Sequence, residues 1–152
     1  MKTVKVRSWV GGHTLQVDDE EFGIIDRECV KAFTLGQCHA FAVAIHRLTG
    51  WTIKGIKPYP DSRYLGHCVN YSPELKGYVD IRGLVKKVDR FNWGRQAYVA
   101  VSRLSESTIV NQGLDGYMEP DVENAMPFAR TLLNKLGITP QPTKKSRRRK
   151  HV

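Results

Sequence analysis

The chain has 152 residues, enough to bury a core in a single domain without disulfide or metal staples. Its formal charge of +9 arises from 24 Lys+Arg against 15 Asp+Glu, but Lys144, Lys145, Arg147, Arg148, Arg149 and Lys150 crowd into the last nine residues. Without those six the balance is 18 to 15, so the body is only mildly basic, and the excess reads as a tail suited to nucleic acid or another acidic surface, or as a solvated end.

Cys29, Cys38 and Cys68 are odd in number and irregular in spacing, which fits neither a disulfide framework nor a CxxC zinc site and points to a reducing compartment. The stretch Met1-Lys2-Thr3-Val4-Lys5-Val6-Arg7 alternates apolar and basic residues rather than forming the apolar segment of a signal peptide, and no later run approaches ~18 apolar residues. A cytoplasmic protein without a membrane partner is expected.

Val4, Val6 and Ser8 alternate with Lys5, Arg7 and Trp9, and Gly11-Gly12 separates them from Thr14-Leu15-Gln16-Val17, so an N-terminal hairpin is expected at a sheet edge, with His13 exposed in its Gly-flanked turn. Asp18-Asp19-Glu20-Glu21 reads as a solvated turn, with Asp26 or its neighbours as alternative site residues. Cys29, Val30 and Phe33 suggest a short helix or turn. Gly36 then supplies a loop before Cys38, Phe41, Ala42, Ile45 and Leu48, whose spacing marks the buried face of a helix ending at Gly50. A thiol in the first turn of a helix lies at the positive end of the dipole beside unpaired backbone N–H groups, which favours the thiolate. On an apolar helix face a cysteine is also an ordinary small core residue, so this position alone does not choose between the two.

Beyond Gly50, Trp51 to Lys57 reads as a strand stopped by Pro58-Tyr59-Pro60-Asp61. Tyr64 to Tyr71, the turn Ser72 to Gly77 and Tyr78 to Gly83 form an antiparallel hairpin. On it His67, Val69 and Tyr71 share one face of the first strand, Tyr78, Asp80 and Arg82 share one face of the second, and Cys68 points the other way into the core. A short strand or loop over Val85 to Phe91 and a strand over Ala97 to Val101 are expected next. Ser105 to Tyr117 reads as loop with one helical turn. Val122, Ala125, Met126, Ala129, Leu132, Leu133 and Leu136 form an amphipathic stripe closed by Gly137, in which Pro127 either kinks the helix or marks its first turn.

The order is thus a helix that begins at a cysteine, then His67, then Asp80. Thiol catalysis needs an imidazole to hold the thiolate and shuttle protons, and the imidazole needs a polar group to orient it. Adjacent antiparallel strands can set a histidine beside an acid, and a helix packed across that sheet can bring the thiol to them. His39 and His46 lack a third ligand, so no metal is assigned, and Trp51 and Trp93 read as packing residues, with base stacking in a basic chain as the open alternative.

Gly36-Gln37-Cys38-His39-Ala40, Gly66-His67-Cys68-Val69 and Tyr78-Val79-Asp80-Ile81-Arg82-Gly83 together resemble the papain-like thiol hydrolase superfamily, including its transglutaminase-like and deamidase branches. The resemblance implies Cys38 as nucleophile, His67 as general base and then acid, and Asp80 as orienting group. It implies no cofactor. In papain-like proteases the oxyanion-donating glutamine lies several residues before the cysteine, whereas Gln37 is adjacent to it, so Gln37 and His39 are assigned to the oxyanion site or the rim. The backbone N–H of Cys38 is itself an oxyanion donor, which suits amide or ester substrates, whether protein or small molecule, better than phosphates.

The sequence therefore predicts an α+β domain over residues 1–138, an antiparallel sheet carrying the Cys38 helix and a C-terminal amphipathic helix, followed by a flexible basic tail over 139–152. The expected function is a cysteine-dependent amidase, deamidase, peptidase or acyltransferase. A non-catalytic binding protein that uses its tail on nucleic acid is the alternative.

Overall fold

The helix that begins at Cys38 is the centre of the molecule. In the computed structural model, which describes residues 1–58, 61–86 and 100–141, α2 spans Cys38–Thr49 and ends at Gly50, whose φ of 76° is the left-handed conformation expected of a glycine stop. Sequence periodicity predicts one buried face. The structure buries every residue from Cys38 to Ile45, because α2 lies between a sheet on one side and a second long helix on the other.

That sheet has five antiparallel strands in the order β6-β5-β4-β3-β7: β3 Thr52–Lys57, β4 His67–Ser72, β5 Gly77–Asp80, β6 Gly83–Val85 and β7 Ala100–Leu104. The hairpin read from Tyr64 to Gly83 is present, with Tyr71 opposite Tyr78 and Asn70 opposite Val79, and the two tyrosine rings meet edge to face at 5.3 Å. The strand expected over Ala97 to Val101 is registered on β3 through Ala100–Leu104, with Ile56 opposite Val101. Residues 87–99 lie outside the described residues, and with them Trp93 and most of the expected Val85 to Phe91 segment.

Asn70 fixes α2 over β4, its Nδ2 donating to the Ala42 carbonyl at 2.9 Å in a fully buried position. Helix α3, Val122–Lys135, covers the far side of α2. Asp121 caps it by accepting from the Asn124 N–H, and Pro127 sits inside it rather than in its first turn. Phe128 of α3 meets Phe33 at 5.6 Å, and Phe33 meets Phe41 of α2 at 5.4 Å, so three aromatic rings join the helical layers.

The N-terminal strands β1, Lys2–Ser8, and β2, Gly11–Val17, form a separate two-stranded sheet, not an edge of the main one. They pack instead against α1, Arg27–Ala32, for which Asp26 is the capping residue, accepting from the Cys29 N–H at 2.9 Å. His13 is not exposed. It is buried between Ser8 Oγ and Glu28 Oε2, each 2.6 Å from a ring nitrogen, which ties the hairpin to α1. The acidic turn after β2 is solvated as expected, with Asp18 Oδ1 accepting from the N–H groups of Glu20 and Phe22.

The Ser105 to Tyr117 segment carries one wide helical turn at Thr108–Gln112. After Gly137 the chain runs back along α2, and Gln141 N–H donates to the Leu48 carbonyl at 2.6 Å, so the segment expected to be loose from 139 is held as far as this residue. The basic run Lys144 to Lys150 lies outside the described residues.

Truncating the fully buried Phe128 to Ala is expected to cost about 3–5 kcal/mol of folding stability, since it empties the junction of α1, α2 and α3. Urea unfolding of the two proteins measures this directly.

Candidate active site

The first residue of α2, the first residue of β4 and the last residue of β5 come together, and they are Cys38, His67 and Asp80. All three are nearly sealed from solvent, at 4%, 3% and 3% exposure. His67 Nε2 lies 2.9 Å from Asp80 Oδ2, and the His67 ring also hydrogen-bonds the Cys38 sulfur.

The charges follow from this contact. Burial alone would lower the His67 pKa, but the Cys38 thiolate and Asp80 outweigh it and push it up to about 9. Asp80 is also buried, which would raise its pKa, yet hydrogen bonds from His67 and Arg82 hold it below the ordinary carboxylate range. Arg82 donates to Asp80 through its backbone N–H at 2.7 Å and through its guanidinium at 2.6 and 3.1 Å. A buried carboxylate is costly unless its oxygens are satisfied, and here every contact favours the ionised form.

Cys38 is held well below the usual thiol range. The largest influence is a hydrogen bond from the Cys68 thiol, and the His67 imidazolium and His39 act in the same direction against burial. Cys68 is shifted the opposite way, well above the usual range, because its proton is committed to Cys38. Tyr117 borders both sulfurs and donates its hydroxyl to the Leu65 carbonyl at 3.1 Å.

Strand alternation correctly sends Cys68 into the core, but the start of α2 lies over that face, so the thiol also enters the site. Arg82 was legible as a residue on the Asp80 face. Tyr117 carried no sequence signal, since it comes from the loop before α3.

Gln37 and His39 are both buried and both bond the segment before α3: Gln37 Nε2 donates to the Glu119 carbonyl at 3.2 Å and its Oε1 accepts from the Asp121 N–H at 3.0 Å, while His39 Nε2 donates to the Met118 carbonyl at 2.7 Å and the same ring acts on the Cys38 sulfur. The Gln37 amide thus bonds the 119–121 segment through both its oxygen and its nitrogen, which keeps one N–H of that nitrogen beyond these bonds. No side chain caps the N-terminus of α2, which leaves the Cys38 N–H as an oxyanion donor. His46 bonds the Trp51 carbonyl at 2.8 Å, so it and His39 are turned to different backbone groups.

Ser8, His13 and Glu28 also place a hydroxyl, an imidazole and a carboxylate in line. Ser8 Oγ is occupied within its own hairpin by the Val10 N–H at 3.2 Å, and the trio reads as a clamp. Among the described residues no helix is long and apolar enough to cross a membrane.

Comparison of the chain with protein-family models, with curated proteins and with solved structures gives no match.

Alkylation of Cys38 by iodoacetamide is expected to reach its full rate well below the pH at which an ordinary thiol ionises. In His67→Gln the rising limb is expected to move to higher pH, because a neutral amide no longer favours the thiolate. Peptide mapping of the alkylated protein across pH reads both limbs residue by residue.

Proposed function

We propose that this protein is a cysteine-dependent acyl-transfer enzyme, a hydrolase or amidase of papain-like layout in the deamidase or transglutaminase-like manner. The observation that carries the reading is the double engagement of His67, with Asp80 2.9 Å from its Nε2 and the Cys38 sulfur also bonded to the ring. A merely structural cysteine has no need of an oriented imidazolium.

In this reading the Cys38 thiolate attacks the carbonyl carbon of an amide or ester. The developing oxyanion is met by the Cys38 backbone N–H at the uncapped start of α2, where the helix dipole also favours negative charge. The His67 imidazolium gives its proton to the departing amine or alkoxide as the C–N or C–O bond breaks, leaving an acyl-thioester on Cys38. Neutral His67 then takes a proton from water or from an acceptor amine, which attacks the thioester and releases Cys38 as thiolate. Asp80 stays ionised throughout, holding the ring and stabilising the imidazolium.

The local backbone suits this division of labour. Cys38 is carried by a helix packed on both sides, and His67 and Asp80 lie on neighbouring strands, so none of the three depends on a loop for its position. Arg82 fixes the carboxylate from the solvent side.

An activated ester such as p-nitrophenyl acetate is expected to acylate the protein at Cys38, giving a burst of one equivalent and an acetyl mass increment on the peptide that contains it. Cys38→Ala is expected to abolish the burst. Asp80→Asn is expected to lower the acylation rate by roughly 10² or more, since the ring loses its orienting charge. Acylation spread over surface lysines and unchanged in Cys38→Ala would refute the assignment.

A further inference from the structure

The site holds one thiol more than acyl transfer requires. Cys68 is not part of the Cys38, His67, Asp80 relay, yet its thiol hydrogen-bonds the nucleophile directly. The backbone explains why. Asn70 Nδ2 to the Ala42 carbonyl, at 2.9 Å, locks one point of α2 over one point of β4. Four residues back along the helix is about 6 Å, and two residues back along the strand is about 6.8 Å. Those steps lead to Cys38 and Cys68, so the two elements carry their cysteines to matching depths on facing surfaces. Both are free thiols, both are buried in the same core cluster, and the third cysteine, Cys29, belongs to α1.

We propose that Cys68 is a resolving thiol for Cys38, so that a hydroperoxide converts the pair into an internal disulfide that reversibly blocks the nucleophile. In the first step the Cys38 sulfur attacks the terminal peroxide oxygen. The O–O bond breaks, the second oxygen leaves as water or an alcohol with the proton of the His67 imidazolium, and Cys38 becomes a sulfenic acid, oxidised by two electrons. In the second step the Cys68 sulfur gives up its proton and attacks the Cys38 sulfur. The S–S bond forms as the S–O bond breaks, and the hydroxyl departs with that proton as water. Loss of the negative charge on Cys38 in the first step removes the interaction that holds the proton on Cys68, so the first step prepares the second. A dithiol reductant returns both residues to thiols.

The pairing has a protective consequence. A buried sulfenic acid with no thiol beside it is open to further, irreversible oxidation, whereas a neighbouring thiol captures it first. That the disulfide silences acyl transfer rests on the reading given above; formation of the disulfide does not, because it requires only a reactive Cys38 with Cys68 against it.

The test is treatment of the full chain with hydrogen peroxide followed by alkylation and peptide mapping without reduction. Free thiols are expected to fall from three to one, with the Cys38 and Cys68 peptides joined within one molecule, Cys29 still alkylated, and all three thiols recovered after dithiothreitol. In Cys68→Ser the Cys38 sulfenic acid is expected to persist long enough to be trapped by dimedone, and a cooperative urea unfolding transition like that of the unaltered protein serves as the check that this variant is folded. Cys38 advancing to sulfenic or sulfinic acid in the unaltered protein while Cys68 remains a free thiol would overturn the proposal, as would bridges to Cys29 or between molecules. Disulfide formation in a protein that shows no ester burst would leave this proposal standing and remove the acyl-transfer reading instead.

Discussion

Everything specific about this molecule depends on an imidazolium held between two anions in a place that water scarcely reaches. His67 is 3% exposed, and burial by itself would strip its charge. It remains protonated because the Cys38 sulfur and Asp80 both favour its charge, and Asp80 in turn remains ionised against burial because His67 and then Arg82 hydrogen-bond it. Removing any one member would strand a buried charge, an arrangement that destabilises far more than the intact network contributes. The chain keeps the network despite that cost, and its cost is the physical reason for regarding it as more than packing.

The fold holds three short pieces of backbone together, the start of α2, the start of β4 and the end of β5. Helix α2 is buried almost all round, pressed between the five-stranded sheet and α3, so its first residue cannot shift without moving the core. Asn70 ties that helix to β4 through a buried side-chain bond, and the pairing of β4 with β5 brings Asp80 Oδ2 within 2.9 Å of His67 Nε2. The N-terminal hairpin and α1 complete the enclosure. Gly36 shows how close this packing is: an added Cβ there would lie 3.1 Å from the Trp9 nitrogen and 3.2 Å from Ser8 Cα.

Much of this was legible in the sequence because it rested on local periodicity. The 3.6-residue spacing of Cys38, Phe41, Ala42 and Ile45 located α2, and the alternation across His67 to Arg82 placed histidine, acid and arginine on one side of a hairpin. What was not legible depended on long-range placement. His13 looked exposed because glycines flank it, but Glu28 on α1 draws it inward. The bonds of Gln37 to the segment at 119–121, more than eighty residues away, could not be read from its sequence neighbours. Cys68 was correctly a core residue, yet only the placement of α2 over β4 reveals that this part of the core includes Cys38.

The central claim is that His67 is a stable imidazolium paired with a thiolate. Titration of its ring by NMR, with carbon and nitrogen shifts followed in the unaltered protein and in Cys38→Ala, tests it most directly. The account predicts a ring protonated throughout neutrality with a midpoint at about 9, and a lower midpoint once the sulfur is removed. A ring that is already neutral at pH 7, with the same midpoint in both proteins, would contradict it.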